Sequence, residues 1–520
     1  MKYLTVASCV AVALSAQILP AASQESPAPA PAPTPIVSSA QALPPRPESP
    51  ENPAVLYSLQ KKVNAASVQN KKPKKFQPDP DLSNPESPDG DFAPPPPLRP
   101  VGPLSNVGKE LDDHGIQIGI FADEFALRQI RTGLVPNQNM NSADIKTHVG
   151  LDLEKILGIP NTRLNFDETI YALSNHAFNY VLYSNSYFFP GAGGYNTTML
   201  SRLSLESDFL NGRLHVEVGR MNGIFNFMTP LYCGACFNGT QARNAYFPGP
   251  DAQVWGGRAA YKLTAHDTIQ AGLYENDLYV FQNTNGWYFS TNHATGYVAV
   301  ANYQRQTTFM DDAYPVKMEI GAYHNSAANA DPLYNVDGTS HVLNPYGKIL
   351  VHEQGITGGF AQVRKTIWSA DGALGNPFAQ NVAIYGAAFL APGAGISYPV
   401  EGLVGVEWEN FVPNQPFWMV GLGLHYAMVG NEKALYEQQM RVLLGGPNVA
   451  TQQHMFSPTA VLRFPITQFV IAQPFAFYFI NQDQSYVPSA KIQKDGWFVG
   501  ARVTVNLGGA LGLSAGGPPM

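Results

Sequence analysis

Residues 201–219 read SRLSLESDFLNGRLHVEVG, and the alternation within them decides the fold. Leu203 and Leu205 take one phase while Arg202, Ser204 and Glu206 take the other. After Asn211-Gly212, Leu214, Val216 and Val218 alternate with Arg213, His215 and Glu217. A period of two puts successive side chains on opposite faces of a strand, so each segment has one apolar and one polar face. Asn-Gly between two such runs predicts a hairpin.

The same texture extends in both directions. RLNFDETIYAL (163–173), GYVAVANYQRQ (296–306), VKMEIGAY (316–323), NVAIYGAAFLA (381–391), VGVEWENF (404–411) and FVGARVTVNLG (498–508) each fit an alternating strand of about ten residues. No long amphipathic helix is expected between them. Repeated hairpins of this kind predict an antiparallel all-β protein rather than alternating βαβ units.

Composition narrows the environment. The chain is 45% hydrophobic and 11% aromatic but only 14% charged, against about 25% charged in ordinary soluble domains. A net charge of -7 gives no electrostatic reason to expect a nucleic-acid partner. Residues 1–23, MKYLTVASCVAVALSAQILPAAS, read as a secretory signal peptide with an apolar run and small residues at the cleavage end. Residues 24–103 are rich in proline, which fixes φ and removes a backbone donor, so they predict a disordered linker or arm. Residues 104–510 form the β region, and 511–520 are expected to be a flexible tail.

Beyond the signal there is no run of about 18 apolar residues, so any crossing of a membrane would use strands. Alternation alone does not separate a soluble sandwich from a transmembrane barrel. The signal, the unbroken β region of roughly 400 residues and aromatics near strand ends point to the barrel. Trp255, Tyr261, Tyr274, Trp368, Trp408, Phe417, Trp418, Trp497 and Phe498 are the aromatics expected in interfacial girdles. At roughly 25 residues per strand and connection, the region holds about sixteen strands.

In such a barrel the polar phase lines the lumen and supplies donors and acceptors for hydroxyl groups. Arg202, Arg213 and Arg258 are the candidates for an arginine-rich eyelet, with Glu206 and Glu217 opposing them. The competing reading is a secreted or surface β-rich carbohydrate-binding protein or enzyme without a pore.

The order of segments resembles the OprB-type carbohydrate-selective porins. GKELDDHGIQIGIFADEFALRQIRTG (108–133) resembles the family's short helix and first strand, and HVGLDLEKILGI (148–159) its next strand and leucine-rich turn. LSLESDFLNGRLHVEVGRMNGIFNF (203–227) is similar to the hairpin ending in a Gly-Arg pair, here Gly219-Arg220. FPGPDAQVWGGRAAYKLTAHDTIQAGLYEND (247–277) resembles the two strands after it. YPVKMEIGAYHNSA (314–327) and ITGGFAQVRKTIW (356–368) resemble later strands, while ALYEQQMRVLL (434–444) and FPITQFVIAQPFAFYFINQ (464–482) resemble the closing pair. The family's Asn-Pro-Gly-Gly after the closing strand is replaced here by INQDQSYVP (480–488). The resemblance implies an outer-membrane barrel of about sixteen strands that passes monosaccharides and related polyols through a selective constriction. Outer-membrane lipid, a homotrimeric assembly, and contact of the Pro-rich arm with periplasmic or cell-wall components are the further partners expected.

Enzyme constellations are missing from the sequence. His352-Glu353 lacks the second histidine of a zinc-protease motif, and no nucleophile elbow or phosphate-binding loop occurs. The pairs Asp112-Asp113 and Asp311-Asp312 adjoin turns, where solvated carboxylates are the rule. Neither catalysis, a cofactor nor a metal is expected. Cys233-Gly234-Ala235-Cys236 could be a redox centre, half a zinc site or a local disulfide. A redox centre calls for a helix start and zinc for about four ligands, so in an exported β protein a disulfide is expected. The segment YFPGPDAQVW (246–255) after it is expected to fold inward at the constriction.

Overall fold

The structure, a computed structural model, describes residues 102–175, 197–221, 223, 226–228, 253–277, 286–370, 372–376, 378–412, 416–485 and 487–514. The signal peptide, nearly all of the Pro-rich arm, the Cys233–Cys236 pair and most of segment 246–255 lie outside the described residues.

From the N-terminal side the elements are α1 (Ser105–Asp113), β1 (Ile116–Ile130), β2 (Asn139–Asp152), α2 (Leu153–Leu157), β3 (Thr162–Asn175), β4 (Thr197–Phe209) and β5 (Leu214–Met221). They continue with β6 (Val254–Lys262), β7 (Asp267–Asn276), β8 (Gly296–Gln306), β9 (Val316–Asn325), and a small hairpin of β10 (Asn329–Asn335) and β11 (Ile349–His352). Then come β12 (Ile356–Ser369), β13 (Asn381–Leu390), β14 (Val400–Glu409), β15 (Met419–Met428) and α3 (Asn431–Leu443). The chain closes with β16 (His454–Thr467), β17 (Val470–Phe479), β18 (Gly496–Asn506) and α4 (Leu507–Leu511).

Sixteen of these strands form one closed antiparallel barrel, with β10 and β11 apart from it. Closure is made by β1 on β18, in register from Phe121↔Asn506 to Ile130↔Trp497. One end of the barrel carries short connections such as 210–213, 263–266 and 468–469, together with α1 and α4; the other carries 326–355, 429–453 and 480–495. Short turns mark the periplasmic end of such barrels and long loops the outer end.

The radial distribution of side chains is the reverse of a soluble protein's. Val404, Leu422 and Ile320 are more than half exposed, at 59%, 54% and 53%, while Arg364 and Glu407 are 1% exposed. On β14, Val404, Val406 and Trp408 point out and Leu403, Glu407 and Glu409 point in. An apolar exterior around a polar interior suits lipid outside and a polar lumen. No helix among the described residues is long and apolar enough to cross a membrane. Aromatic pairs mark both rims: Trp408–Phe411 at 5.0 Å and Trp418–Phe464 at 5.2 Å near the short-turn end, Tyr478–Trp497 at 4.9 Å and Tyr426–Phe456 at 5.4 Å near the other.

Four expectations need correction. Tyr274, Phe417 and Phe498 are buried rather than in the girdles; Phe498 follows the outward Trp497, and one step along a strand reverses the face. The hairpin at Asn211-Gly212 has a four-residue connection, because Leu210, Asn211 and Gly212 all take positive φ, and Arg213 sits in it outside the strand. The tail expected to be flexible from 511 is tied down as far as Ser514. Asn506 caps α4 by accepting from Gly509 N at 2.7 Å, Gly512 ends the helix in the left-handed conformation, and Leu513 N donates to Gly508 O at 2.9 Å. Residues 434–443, read as part of a closing strand, belong to the helix α3, and residues 464–479 supply the end of β16 and all of β17, with β18 following. The buried stripe of α3 is Lys433, Glu437 and Arg441 with Ala434, so a search for apolar periodicity passes over it.

Candidate lumen constriction

The inward phase of the strands is layered. Toward the short-turn end it is ionic: Asp123 on β1, Lys146 on β2, Arg202 on β4, Glu217 on β5, Arg364 on β12, Arg502 on β18. Toward the long-loop end it is apolar and aromatic, with Tyr274, Tyr323, Phe360 and Phe389 on one side and Phe475, Phe477 and Phe479 on the other.

Two inward-folded segments cover that upper layer. After β5 the chain turns into the barrel, where Asn226 O accepts from Gln270 Nε2 at 2.5 Å and Met228 N donates to Glu319 Oε1 at 3.0 Å. Phe227 lies edge-on to Tyr274 at 6.2 Å. Gly272 permits this approach, since a Cβ there would sit 2.8 Å from the Phe227 ring and 2.7 Å from that of Tyr274. The second segment is α3, whose Ala434 joins the cluster of Tyr398, Phe475, Phe477 and Phe498. Its Lys433 Nζ is 2.7 Å from Glu437 and donates to Gln484 O at 3.3 Å, and Arg441 donates to Val449 O at 2.5 Å. Burial pushes the Glu437 carboxyl above its ordinary pKa and lowers that of Arg441. The β10–β11 hairpin leans on the same helix through Ser340, which donates to Gln439, and through His341, 5.2 Å from the Tyr436 ring.

Four of the five eyelet candidates meet in one network. Arg202 Nε donates to Glu217 Oε1 at 2.9 Å and to Ser204 Oγ at 2.8 Å, and its Nη2 reaches Glu206 at 3.3 Å. Arg258 Nε donates to the other Glu217 oxygen at 3.1 Å. Arg213 is not brought in: it is exposed in the β4–β5 connection, donating to Lys262 O at 3.4 Å and facing the Tyr261 ring. The network shows a division of labour. The Arg202 side chain keeps 13% of its surface exposed, whereas Glu217 keeps 2% and Arg258 none. Arg202 faces the passage, Glu217 holds it, and Arg258 holds Glu217 from behind.

Other inward groups were passed over. Arg163 and Asp167 on β3 are 18% and 23% exposed, and Asp167 pairs with His148 on β2. Their signal was the alternation of Arg163, Asn165 and Asp167 in RLNFDETIYAL. On β1 Asp123 lies between Phe121 and Phe125, both also inward and buried, so its phase looked apolar. Arg364 is held by Glu407 at 3.0 Å and Glu409 at 2.6 Å. Glu319 accepts from Gln362 at 2.7 Å and from Asn302.

Cations and carboxylates therefore cancel locally around the wall. Glu206, His215 and Glu217 bring ligand-type atoms within 4.8 Å of one another. Glu217 already accepts from two guanidinium groups and His215 is 2.8 Å from Asp208, so this donor set fits ion pairing better than a metal. A wall of paired charges with partly exposed guanidinium and carboxylate edges offers hydrogen bonds without a strong net field, which suits neutral hydroxylated solutes over ions.

Comparison with known proteins returns a matching family and matching solved structures. The family model "Carbohydrate-selective porin, OprB family" matches residues 138–507. The high-pH structure of Pseudomonas putida OprB superposes with a TM-score of 0.67 at 15% identity, covering 76% of this chain and 95% of that one. Its low-pH structure gives 0.48 at 14% identity over 78% and 97%. The trimer form of Vibrio cholerae OmpT gives 0.43 at 9% identity over 75% and 99%. A search of curated proteins finds no match.

Proposed function

The chain belongs to the OprB family of carbohydrate-selective porins, an outer-membrane channel family, and from that premise we propose that monosaccharides and related polyols diffuse through its lumen past Arg202. The family and fold are those of a channel rather than an enzyme. The observation that carries the reading is the charge-matched wall, in which Arg202 is steadied by Glu206 and Glu217 while keeping an edge toward the passage. Arg163, Asp167 and Arg502 would share contact with the solute, and Glu217 and Arg258 would act as braces. Sugar hydroxyls exchange one shell of hydrogen bonds for another, and binding stays weak enough for release.

We further propose a homotrimeric assembly, a disulfide between Cys233 and Cys236, and a periplasmic or cell-wall contact for the arm. Liposome swelling against a panel of sugars and polyols tests the central reading. Swelling with monosaccharides that falls off for disaccharides is expected, and equal rates for all would overturn it.

A further inference from the structure

The turn that carries the chain inward after β5 is held at two points of its backbone. Within it, Asn226 N and Phe227 N both donate to Gly223 O at 3.0 Å. Met228 then takes a φ of 59°, a left-handed backbone that a residue with a side chain keeps only where its surroundings hold it.

Two wall side chains supply that hold, one on each side of Phe227. Before it, Gln270 of β7 donates from Nε2 to Asn226 O at 2.5 Å. After it, Glu319 of β9 accepts from Met228 N at 3.0 Å. Phe227 between them is fully buried and lies edge-on to Tyr274 of β7. A carbonyl and an N–H two residues apart are thus both satisfied by the barrel wall, which fixes the place and the direction of the chain together.

The two anchors differ in chemistry. Glu319 is buried among neutral donors: Met228 N and Asn302 meet at Oε1, and Gln362 donates to Oε2 at 2.7 Å. An ionised carboxylate only accepts, so all three donors must point at it. The Gln270 amide works in both directions. While Nε2 holds Asn226, its Oε1 accepts from Arg258 Nη1 at 3.4 Å. Arg258 Nε donates to one Glu217 oxygen at 3.1 Å, and Arg202 Nε donates to the other at 2.9 Å.

A chain of bonds therefore runs from Arg202 through Glu217, Arg258 and Gln270 to Asn226 O, one link per strand from β4 to β7. Glu217, Arg258 and Gln270 are all buried, and in a wall of that kind the loss of one partner leaves its neighbour unsatisfied. Helix α3, the other inward segment, ties its charged side chains to connecting loops instead, Lys433 to Gln484 O and Arg441 to Val449 O.

We infer that Gln270 and Glu319 are positioning residues of the passage: together they set the inward turn at Phe227, and Gln270 couples its place to that of Arg202. The inference rests on reading Arg202 as a contact of the solute. Both residues are buried, so each acts through the chain it holds. The solute-facing guanidinium and the inward turn are set as one unit.

The test is a double-mutant cycle on the block of single-channel current by glucose, with the full chain in planar bilayers. Gln270→Leu keeps the bulk and removes both links; Glu319→Leu removes the acceptor of Met228 N. Each is expected to weaken the block by about threefold or more, and the loss in Arg202→Ala/Gln270→Leu is expected to fall at least about twofold short of the product of the two single losses. Heat-modifiable migration on a gel reports the folded barrel for every variant. Where Gln270→Leu does not fold, Gln270→Glu takes its place: a carboxylate there keeps Arg258 but cannot donate to Asn226 O, and the block should weaken as much. Unchanged block in a folded Gln270 or Glu319 variant, whatever its heat-modification midpoint, overturns the inference and leaves the sugar reading standing, as do losses that simply multiply in the cycle. Absence of any block in the unsubstituted chain overturns that reading and this inference with it.

Discussion

Arg502 on the last strand grips Asp123 on the first with two parallel bonds, Nε to Oδ1 at 3.0 Å and Nη2 to Oδ2 at 3.1 Å, so the seam that closes the barrel is fastened by a bidentate ion pair inside the lumen. Lys146 Nζ adds a third contact at 3.1 Å, and Thr504 a fourth.

Removing the carboxylate should therefore cost more than removing the cluster. Asp123 is buried, and Asp123→Ala takes the bidentate carboxylate from Arg502 and leaves Lys146 with Asp144 at 3.4 Å, a loss on the order of 3–5 kcal/mol. The heat-modification midpoint of the barrel should fall markedly in Asp123→Ala and recover in part in Asp123→Leu/Lys146→Leu/Arg502→Leu. Equal midpoints for the wild type and Asp123→Ala would remove the seam from the stability account.

Arg202→Ala deletes the cation between Glu206 and Glu217 and leaves net negative charge in the wall. The reversal potential in a KCl gradient should move toward cation selectivity. Sugar block of the current should weaken about five- to tenfold, the equivalent of roughly 1–1.4 kcal/mol. An unshifted reversal potential would place Arg202 off the ion path.

Gly272→Val sets a branched side chain against Phe227 and Tyr274, both already inside contact distance of a single Cβ. Gly272 has no positive φ in the structure, so the effect is steric. Overpacking of about 1–3 kcal/mol should push residues 226–228 off the wall. Single-channel conductance should change while the barrel still shows heat-modifiable migration; unchanged conductance would mean that the segment does not shape the passage.

The contact of the β10–β11 hairpin with α3 should respond to pH. Burial lowers the pKa of His341, so its contribution to the folded contact is present above the ordinary histidine range near 6.5 and is lost as pH falls through the lowered folded value. Asp331 opposes this shift without reversing it. Glu437 runs the other way: burial raises its pKa, so its contribution is present at low pH and fades as pH rises through the folded value. Hydrogen exchange over 331–352 and 431–443, corrected for intrinsic rates, should quicken on acidification and lose that quickening in His341→Gln. The same quickening in the variant would assign the response elsewhere.

Much of the barrel was legible because strand alternation is local: the pleat alone fixes that Arg202 and Glu206 share a face, whatever surrounds them. That period places Arg202 and Glu206 on one face of β4, Glu217 on the inward face of β5 and Arg258 on that of β6. Its phase could be missed where the inward face was itself apolar, as at Asp123 between Phe121 and Phe125. Helix α3 escaped because its buried stripe is charged, while a hydrophobic period finds only helices that bury apolar side chains.

The alternating pattern, together with the low share of charge, determined that these segments are strands with two unlike faces. Only closure of β1 on β18 decided which face meets lipid and which meets the lumen, because period-two alternation is the same in a sandwich and a barrel. The covering of the aromatic layer by residues 226–228 and α3, and the burial of Glu217 and Arg258 behind Arg202, were likewise decided in three dimensions. These contacts join residues far apart in the chain, and their energy depends on desolvation and partner geometry that no local period encodes.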